Sequence, residues 1–498
     1  MRCAGSVEIV NKHGNPEEQE SPPEARTLAP KRSGEADPSI LSAAITVATV
    51  VLLISIGLVV FEADLHLLMA GALLIVSVSA MSFARRTPED IVRAMAQGIW
   101  EAKGALVIFV LIGALIAALM ASGTVATLID AGLRLIQPGW FLPAALVLCC
   151  LMSIATGTAW GTAGTAGVVL MGIGAASGLP LPLVAGVVVS GACFGDKMSP
   201  ISDTTNLAAM AARTGLYQHI RSMLMTTGPT FVLVLIAYGL AGRHFGAKVI
   251  PADDVQVFSD AIGATYVLGW VTLLPLAVMV GLSLLRVDAR MSMAVTILVA
   301  GGVAMLVQHV AVGDWLQALW RPAGVDTGVE VLDGLFGRGG VTSMWWTLML
   351  SLEALALGGV LSRFGYVRVL IHGMLGAIRR VGSLVSATII GALLCNIGMG
   401  EAYMSIILGG QLFREKYEEM GIDSAVLSRS LEEGATLTTP LIPWTTAGIF
   451  FAATLGVPTL NFLPYAWLNL LNPLVGIAFA YLGWGLWRRR KTPLNAMA

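Results

Sequence analysis

The stretch GACFGDKMSPISDTTNLAA, Gly191–Ala209, carries charged residues inside an otherwise apolar part of the chain. Asp196, Lys197, Asp203 and Asn206 lie within eleven positions. A charged side chain at the middle of a bilayer costs about 2.5–3.5 kcal/mol, so three of them together cost on the order of 8–10 kcal/mol. Charges retained at that cost indicate a functional site.

The residues between the two aspartates suggest what that site binds. Pro200 predicts a helix break, because proline removes one backbone amide and clashes with the preceding turn. Freed carbonyls, carboxylates and hydroxyls are hard oxygen ligands, which suit a small alkali cation. We predict a Na+ site with Asp196 and Asp203 as the metal ligands. Its flanking groups are Ser199, Ser202, Thr204, Thr205 and Asn206. Alternatively, Asp196 and Lys197 pair with each other at a helix end near the headgroups.

A second polar segment, EEGATLTTPLIPWTTAG, lies at 432–448 and contains Pro440 and Pro443. It predicts another broken helix that faces the first, although its threonines could instead bond their own backbone. Its candidate ligands are Thr436, Thr438, Thr439 and Thr445. Two segments rich in small residues precede the polar segments, ATGTAWGTAG at 155–164 and NIGMGEAYMS at 396–405. They add Thr156, Asn396 and Glu401 to the candidate site.

The composition defines the class of protein. Of the 498 residues, 56% are hydrophobic and 12% are charged, and the mean hydropathy is +0.79. A soluble domain carries about 25% charged residues, so the sequence predicts an all-α polytopic membrane protein. The net charge of −1 shows no excess of basic residues, so the composition gives no indication of nucleic-acid binding. HExxH, Walker and GxSxG motifs are absent from the sequence, so we expect neither an enzyme nor a cofactor.

Apolar segments then give the elements that position the polar ones. The predicted spans are 40–61, 65–84, 104–122, 141–157, 221–243, 265–285, 291–312, 343–361, 384–399 and 465–487. Less regular segments are expected at 158–212 and 400–455. Together they predict about 10–14 transmembrane segments. Thr87–Lys103 reads as an amphipathic helix in the interface plane, with Thr87 as its cap and Asp90 completing a capping box.

The order of elements occurs twice at an offset near 240, which predicts two repeats. The predicted domains are a disordered tail at 1–38, a first transmembrane repeat at 39–245, a linker at 246–261, a second repeat at 262–490 and a tail at 491–498. If both termini are cytoplasmic, the predicted outside segments hold few basic residues, namely Arg134, Lys248, Arg321 and Arg338. That asymmetry follows the positive-inside rule. It predicts inverted-topology repeats with broken helices or re-entrant hairpins in a multi-pass protein of the cell membrane.

The 191–209 stretch closely resembles the signature of the NhaC-type Na+/H+ antiporter family. DTGVEVLDGLFGRGGVTSMWWT at 326–347 and LSRSLEEGATLTTPLIPW at 427–444 are similar to it as well. The resemblance implies exchange of Na+ for H+, and the family also contains exchangers of organic acids. The chain departs from the family in having Thr445-Thr446-Ala447 after IPW and Glu401-Ala402-Tyr403 in place of an acidic residue followed by Gln-Tyr.

We therefore expect a secondary transporter that exchanges Na+ for H+ within the lipid bilayer. The alternative is a Na+- or H+-coupled carrier of a small carboxylate or amino acid, with Lys197, Thr445 and Thr446 near the substrate carboxylate. A channel would share the polar segments but would not need the repeat. Whether the chain forms a homodimer is left open by the sequence.

Overall fold

The structure is a computed structural model that describes residues 37–135, 138–246, 252–322, 324–376 and 378–487. Its described part is helical throughout, and ten helices are long and apolar enough to cross a membrane. Two further helix pairs, each bent by more than 40°, raise the number to twelve. Both counts fall within the predicted 10–14 segments. The predicted tails, except for residues 37 and 38, lie outside the described residues.

The first half contains eleven α-helices among its described residues. They are α1 (Ile40–Val59), α2 (Leu65–Phe83), α3 (Pro88–Glu101), α4 (Lys103–Ala121), α5 (Thr124–Leu135), α6 (Pro138–Thr156), α7 (Ala159–Thr162), α8 (Val168–Ala176), α9 (Leu181–Met198), α10 (Asp203–Ala212) and α11 (Leu216–Gly246). A π-helical turn, Ala163–Gly167, joins α7 to α8.

The second half contains thirteen α-helices among its described residues. They are α12 (Ala252–Thr265), α13 (Leu274–Leu284), α14 (Ala289–Leu306), α15 (Val312–Trp320), α16 (Glu330–Phe336), α17 (Trp345–Arg363), α18 (Tyr366–Leu375), α19 (Val381–Met399), α20 (Ala402–Glu419), α21 (Ser424–Gly434), α22 (Thr446–Leu455), α23 (Thr459–Phe462) and α24 (Trp467–Leu482). Short 3-10 helices lie at Trp270–Leu273, Val341–Met344, Thr439–Leu441 and Leu463–Tyr465.

The amphipathic helix α3 begins as its sequence predicts. The Thr87 hydroxyl accepts a hydrogen bond from the Asp90 amide at 3.2 Å, and the Asp90 carboxylate accepts one from the Thr87 amide at 3.2 Å. This capping box satisfies amides that have no partner within the helix. Ile91 and Ala94 are buried, and α3 packs across α17.

The repeat is visible in the helix bounds. Helices α6, α7, α9 and α10 begin at 138, 159, 181 and 203, and α19, α20, α21 and α22 begin at 381, 402, 424 and 446. Each pair differs by 243 positions, close to the predicted offset of 240. The halves also exchange equivalent contacts, because α10 packs on α20 of the second half and α22 packs on the π-helical turn after α7.

The segments 158–212 and 400–455 are more regular than we expected. They are helical apart from short breaks. Gly, Ser and Thr have lower helix propensity in water than Ala, but a membrane has no water to satisfy open backbone groups, so segments rich in these residues still form helices there. The expected span 265–285 is instead a pair of helical segments, Gln256–Thr265 and Trp270–Leu284, bent by 85°. Helix α12 therefore occupies most of the predicted linker.

Candidate functional site

Each half contains a helical hairpin whose tip is a glycine with left-handed backbone. In the first half, α6 ends at Gly157 (φ +68°), and α8 packs back against α5. In the second half, α19 ends at Gly400 (φ +70°), and α20 packs back against α18. A left-handed turn is accessible to glycine without a Cβ clash. The two tips contact the two helix breaks that were predicted from Pro200, Pro440 and Pro443, because Gly157 lies against Ile201 and the Gly400 carbonyl accepts the Thr446 amide.

The first break lies between α9 and α10, around Pro200, and Asp196 is at its edge. The Asp196 carboxylate accepts a hydrogen bond from the Ser202 hydroxyl at 2.8 Å and a longer one from the Thr204 hydroxyl at 3.3 Å. The backbone of Ala159, at the start of α7, also bonds it. Asp196 is only 8% exposed. Helix N-termini favour negative charge, so the hairpin tip and the break together hold this carboxylate.

Other predicted residues hold the broken backbone together. The Ser199 hydroxyl donates to the Ile154 carbonyl of the hairpin at 2.8 Å. The Thr205 hydroxyl donates to the Asp196 carbonyl at 3.1 Å, and the Asn206 amide donates to the Pro200 and Ser202 carbonyls at 3.1 and 2.8 Å. The carbonyl oxygens that the break frees are thus partly satisfied by side chains, as buried polar groups must be.

Asp203 and Lys197 lie outside the hydrogen bonds that surround Asp196, although Asp203 is near enough for its charge to act on Asp196. Asp203 begins α10 and is exposed, and its charged neighbours include Asp288 and Arg290 at the start of α14. Lys197 is fully buried on another face of α9, with Glu432 and Glu433 of α21 as its nearest opposite charges. Among the described residues the Lys197 ammonium therefore has no hydrogen bond to Asp196, while a single ion shared by Asp196 and Asp203 stays a prediction.

The second break, between α21 and α22, contains Pro440 and Pro443. The Thr446 hydroxyl at the start of α22 donates to the Glu401 carboxylate at the hairpin tip, and the Thr446 amide donates to the Gly400 carbonyl at 2.9 Å. Glu401 is 5% exposed. The second tip and break thus also meet at a buried carboxylate, which here belongs to the tip.

The remaining candidates of the second half bond mainly to its backbone. The Thr438, Thr439 and Thr445 hydroxyls donate to the carbonyls of Gly434, Ala435 and Thr439, respectively, at 2.5, 2.7 and 2.5 Å. The Asn396 amide donates to the Ala435 carbonyl at 2.7 Å and the Thr438 hydroxyl at 2.9 Å. The Thr436 hydroxyl has no hydrogen-bond partner within 3.5 Å among the described residues and lies near the Glu432 carboxylate, and Thr156 makes only contacts of 3.5 Å.

A buried charged cluster that was not predicted from the sequence lies beside Asp196. Arg429, Glu432 and Glu433 on α21 are fully buried. The Thr226 hydroxyl donates to Glu433 at 2.5 Å, and the Arg429 side chain lies 3.9 Å from the same oxygen. Three ionisable residues in five positions of a membrane-embedded helix were the signal that could have identified them.

A single buried carboxylate surrounded by hydroxyls and carbonyls suits a monovalent cation better than a divalent one. Divalent ions usually take several carboxylates. Within the described residues, groups of three or more His, Cys, Asp or Glu side chains arranged to hold a metal are absent. The oxygen atoms of Asp196, Ser202 and Thr204 are hard ligands of the kind that suit an alkali cation.

Paired hairpins, broken helices and buried carboxylates define a membrane-embedded secondary transporter. The chain belongs to the Na+/H+ antiporter family, whose sequence profile matches residues 191–484. It is 38% identical to the Na+/H+ antiporter NhaC of Alkalihalophilus pseudofirmus, over 86% of this chain and 92% of that protein. The family expected from the sequence is confirmed.

Two further relatives carry other names. The chain is 34% identical to the malate-2H+/Na+-lactate antiporter of Bacillus subtilis, over 82% of this chain and 87% of that protein. It is 32% identical to the arginine/ornithine antiporter ArcD of Halobacterium salinarum, over 91% and 94%. Membership of the family therefore does not by itself identify the transported substrate.

Proposed function

We propose that this chain exchanges Na+ for H+ and that Asp196 is the carboxylate that binds Na+. The observation that carries the proposal is the position of Asp196, buried where the first hairpin tip meets the first helix break. Its two hydroxyl partners can turn their oxygens towards a cation. The family and the relatives named as Na+/H+ antiporters support the same function.

Exchange requires that the two ions exclude each other. An uncompensated negative charge buried in a medium of low dielectric is costly, and either Na+ at Asp196 or a proton taken up in the same buried region removes that cost. One ion therefore leaves when the other binds. Asp203 is exposed beside Asp288 and Arg290. We assign it to the entrance of the site, where its charge attracts the cation.

A second candidate is the exchange of a small carboxylate or amino acid, which the malate/lactate and arginine/ornithine relatives favour. The local geometry supports this function less well than Na+ binding, because the groups expected to bind a substrate carboxylate have other partners. The Thr445 hydroxyl already donates to the carbonyls of Thr439 and Ile442, at 2.5 and 2.9 Å. Lys197 lies among Glu432 and Glu433, which would repel a carboxylate.

The test is flux in proteoliposomes with the full chain. We expect a Na+ gradient to drive H+ movement, Asp196→Asn to abolish it, and Asp203→Asn to slow it while leaving it measurable. Glu353→Gln is a matched control, because Glu353 is half-buried on α17 and pairs with His66 at 3.0 Å. Malate, lactate, arginine and ornithine are tested in parallel. Uphill exchange of one of these, without Na+-driven H+ movement, would favour the second candidate.

We also propose that both termini are cytoplasmic and that the protein resides in the cell membrane. The proposal rests on the small number of basic residues in the predicted outside segments. It places the end of α10 and the start of α11 on the cytoplasmic side.

A further inference from the structure

The buried charges around Asp196 form one set that belongs to both halves of the chain. Asp196 and Lys197 come from α9, and Arg429, Glu432 and Glu433 come from α21. All five are at least nine-tenths buried. When all five are ionised, three carboxylates face two cations, and the set carries a net charge of −1. One added positive charge makes it neutral.

Glu433 and Arg429 are the compensated members of this set. Glu433 accepts the Thr226 hydroxyl at 2.5 Å, and Arg429 lies 3.9 Å from it. Arg429 also donates to the Ser222 and Gly485 carbonyls at 3.4 and 3.1 Å. Breaking such a buried pair is costly because it leaves an uncompensated charge. We therefore treat Glu433 and Arg429 as a fixed ion pair.

Glu432 differs from Glu433 in its partners. Neither carboxylate oxygen of Glu432 has a hydrogen-bond donor within 3.5 Å among the described residues, its nearest hydroxyl being the more distant one of Thr436, and the Lys197 ammonium has no acceptor there. Glu432 has Lys197, Asp196 and Glu433 as charged neighbours. An ionised carboxylate without donors is expensive in the protein interior. Glu432 is thus the acidic member of the set that the surrounding hydrogen bonds do not commit to the charged form.

Two further carboxylates lie near this set. Asp203 of α10 is a charged neighbour of Asp196 but is exposed, so solvent screens it, and Glu401 shares Tyr403 as a neighbour with Asp196 and Glu432 but accepts the Thr446 hydroxyl at the second hairpin tip. The other elements packed here add ionisable groups without a further formal charge. Helix α11 contributes His219, whose ring is bonded to Ser428 at 2.5 Å. Helix α20 contributes Tyr417 and Tyr403, and α9 contributes Cys193. Helix α24 contributes the buried amides Asn469 and Asn472. The net charge of the buried five-residue set therefore depends on Asp196, Glu432, Glu433, Lys197 and Arg429.

We propose that the transported proton is carried by Glu432, while Na+ is carried by Asp196, and that the two exclude each other because only one added positive charge neutralises the buried set. This rests on the proposed exchange of Na+ for H+ and gives each ion its own carboxylate. With neither ion the set is negative, and with both it is positive. Each single-ion state is neutral and has the smallest cost of burial.

The proposal makes distinct predictions for two variants. Glu432→Gln is permanently uncharged, as if protonated, so Na+ at Asp196 would give a net positive set. A unit charge about 12 Å from a bound ion changes the affinity for that ion by about tenfold at an effective dielectric constant near 20. We expect Glu432→Gln to bind Na+ about tenfold more weakly, independently of pH, and to lose Na+-driven H+ movement. The double variant Lys197→Met/Glu432→Gln restores a net charge of −1 and should recover Na+ affinity without recovering H+ movement.

The assay uses the full chain in proteoliposomes with two readouts. A dye reports internal pH during a Na+ gradient, and 22Na+ exchange against unlabelled Na+ at equal pH reports Na+ binding without proton transport. Both are measured between pH 6 and 9 for the wild type, the two variants and the Glu353→Gln control. If Glu432→Gln does not insert, the double variant, which removes both unpartnered charges, gives the same test.

Two results would overturn the proposal. One is a Glu432→Gln protein whose Na+ affinity still varies with pH or that still moves H+. The other is a double variant that fails to recover Na+ affinity. A wild-type protein without Na+-driven H+ movement would contradict the exchange function itself, and so the two failures are distinguishable.

Discussion

The two hairpin tips offer a matched pair of substitutions, Gly157→Ala and Gly400→Ala. Both glycines have left-handed backbone, with φ +68° and +70°. A Cβ at Gly157 would lie 3.1 Å from the Ile201 Cβ and 3.2 Å from the Ile201 carbonyl carbon, within the first helix break. A Cβ at Gly400 would meet nothing closer than the Ala354 carbonyl oxygen at 3.5 Å. The backbone strain is therefore shared, and the crowding occurs only at Gly157.

The magnitudes follow from these distances. A left-handed alanine costs roughly 1–2 kcal/mol, so Gly400→Ala should lower the free energy of unfolding by about that amount. Gly157→Ala adds crowding, which costs about 1–3 kcal/mol when a neighbour must move. The neighbour that moves is Ile201, next to Ser202, whose hydroxyl donates to Asp196 at 2.8 Å. If displacing Ser202 removes about 1.4 kcal/mol of cation binding, the Na+ affinity falls about tenfold.

Thermal unfolding in detergent and 22Na+ exchange in liposomes measure the two effects separately. Both variants should unfold at a lower temperature, and Gly157→Ala should lose more. Only Gly157→Ala should weaken Na+ affinity. Equal losses of Na+ affinity in the two variants would refute the reasoning, because they would show that Asp196 does not depend on the position of Ile201.

Two further predictions concern the cluster and the topology. Gly476→Ala would place a Cβ 2.1 Å from a Glu433 carboxylate oxygen, so we expect it to displace Glu433 from Thr226 and lower thermal stability by several degrees; unchanged stability would contradict the close packing of α24 on this carboxylate. A cysteine at Gln256, on α12, should react with an impermeant maleimide from outside intact cells, and reaction only after the membrane is opened would contradict the inverted arrangement of the repeats.

Local chemistry made the helix breaks predictable. Pro200, Pro440 and Pro443 each lack a backbone N–H donor, and the hydroxyls around them offer alternative hydrogen bonds to the freed carbonyls. The sequence therefore predicted both the breaks and their recurrence in the two halves. The capping box of α3 was predictable for the same reason, because all its partners lie within four residues.

The partners of the charged residues were harder to predict because they depend on helix faces. Helix α9 remains regular through Met198, so the consecutive residues Asp196 and Lys197 point in directions about 100° apart. Asp196 turns towards the hairpin tip, and Lys197 turns towards α21. Asp196 meets Ser202 only six positions away, whereas whether Lys197 meets Glu432 is decided by packing between residues more than 200 positions apart. Sequence proximity favoured a pair that the helix geometry separates.

The repeat conserves the backbone arrangement but exchanges the chemistry at equivalent positions. At an offset of 243, the tip residue Thr158 corresponds to Glu401, and Asp203 corresponds to Thr446. The second half joins its pair by a hydrogen bond from Thr446 to Glu401, whereas Asp203 of the first half is exposed. Asp196 corresponds to Thr439, whose hydroxyl donates to the Ala435 carbonyl at the end of α21. The buried carboxylate beside the first break is therefore specific to one half. The repeat alone predicts two places where a hairpin tip meets a helix break, but the side chains favour only the first of them as the proposed Na+ site.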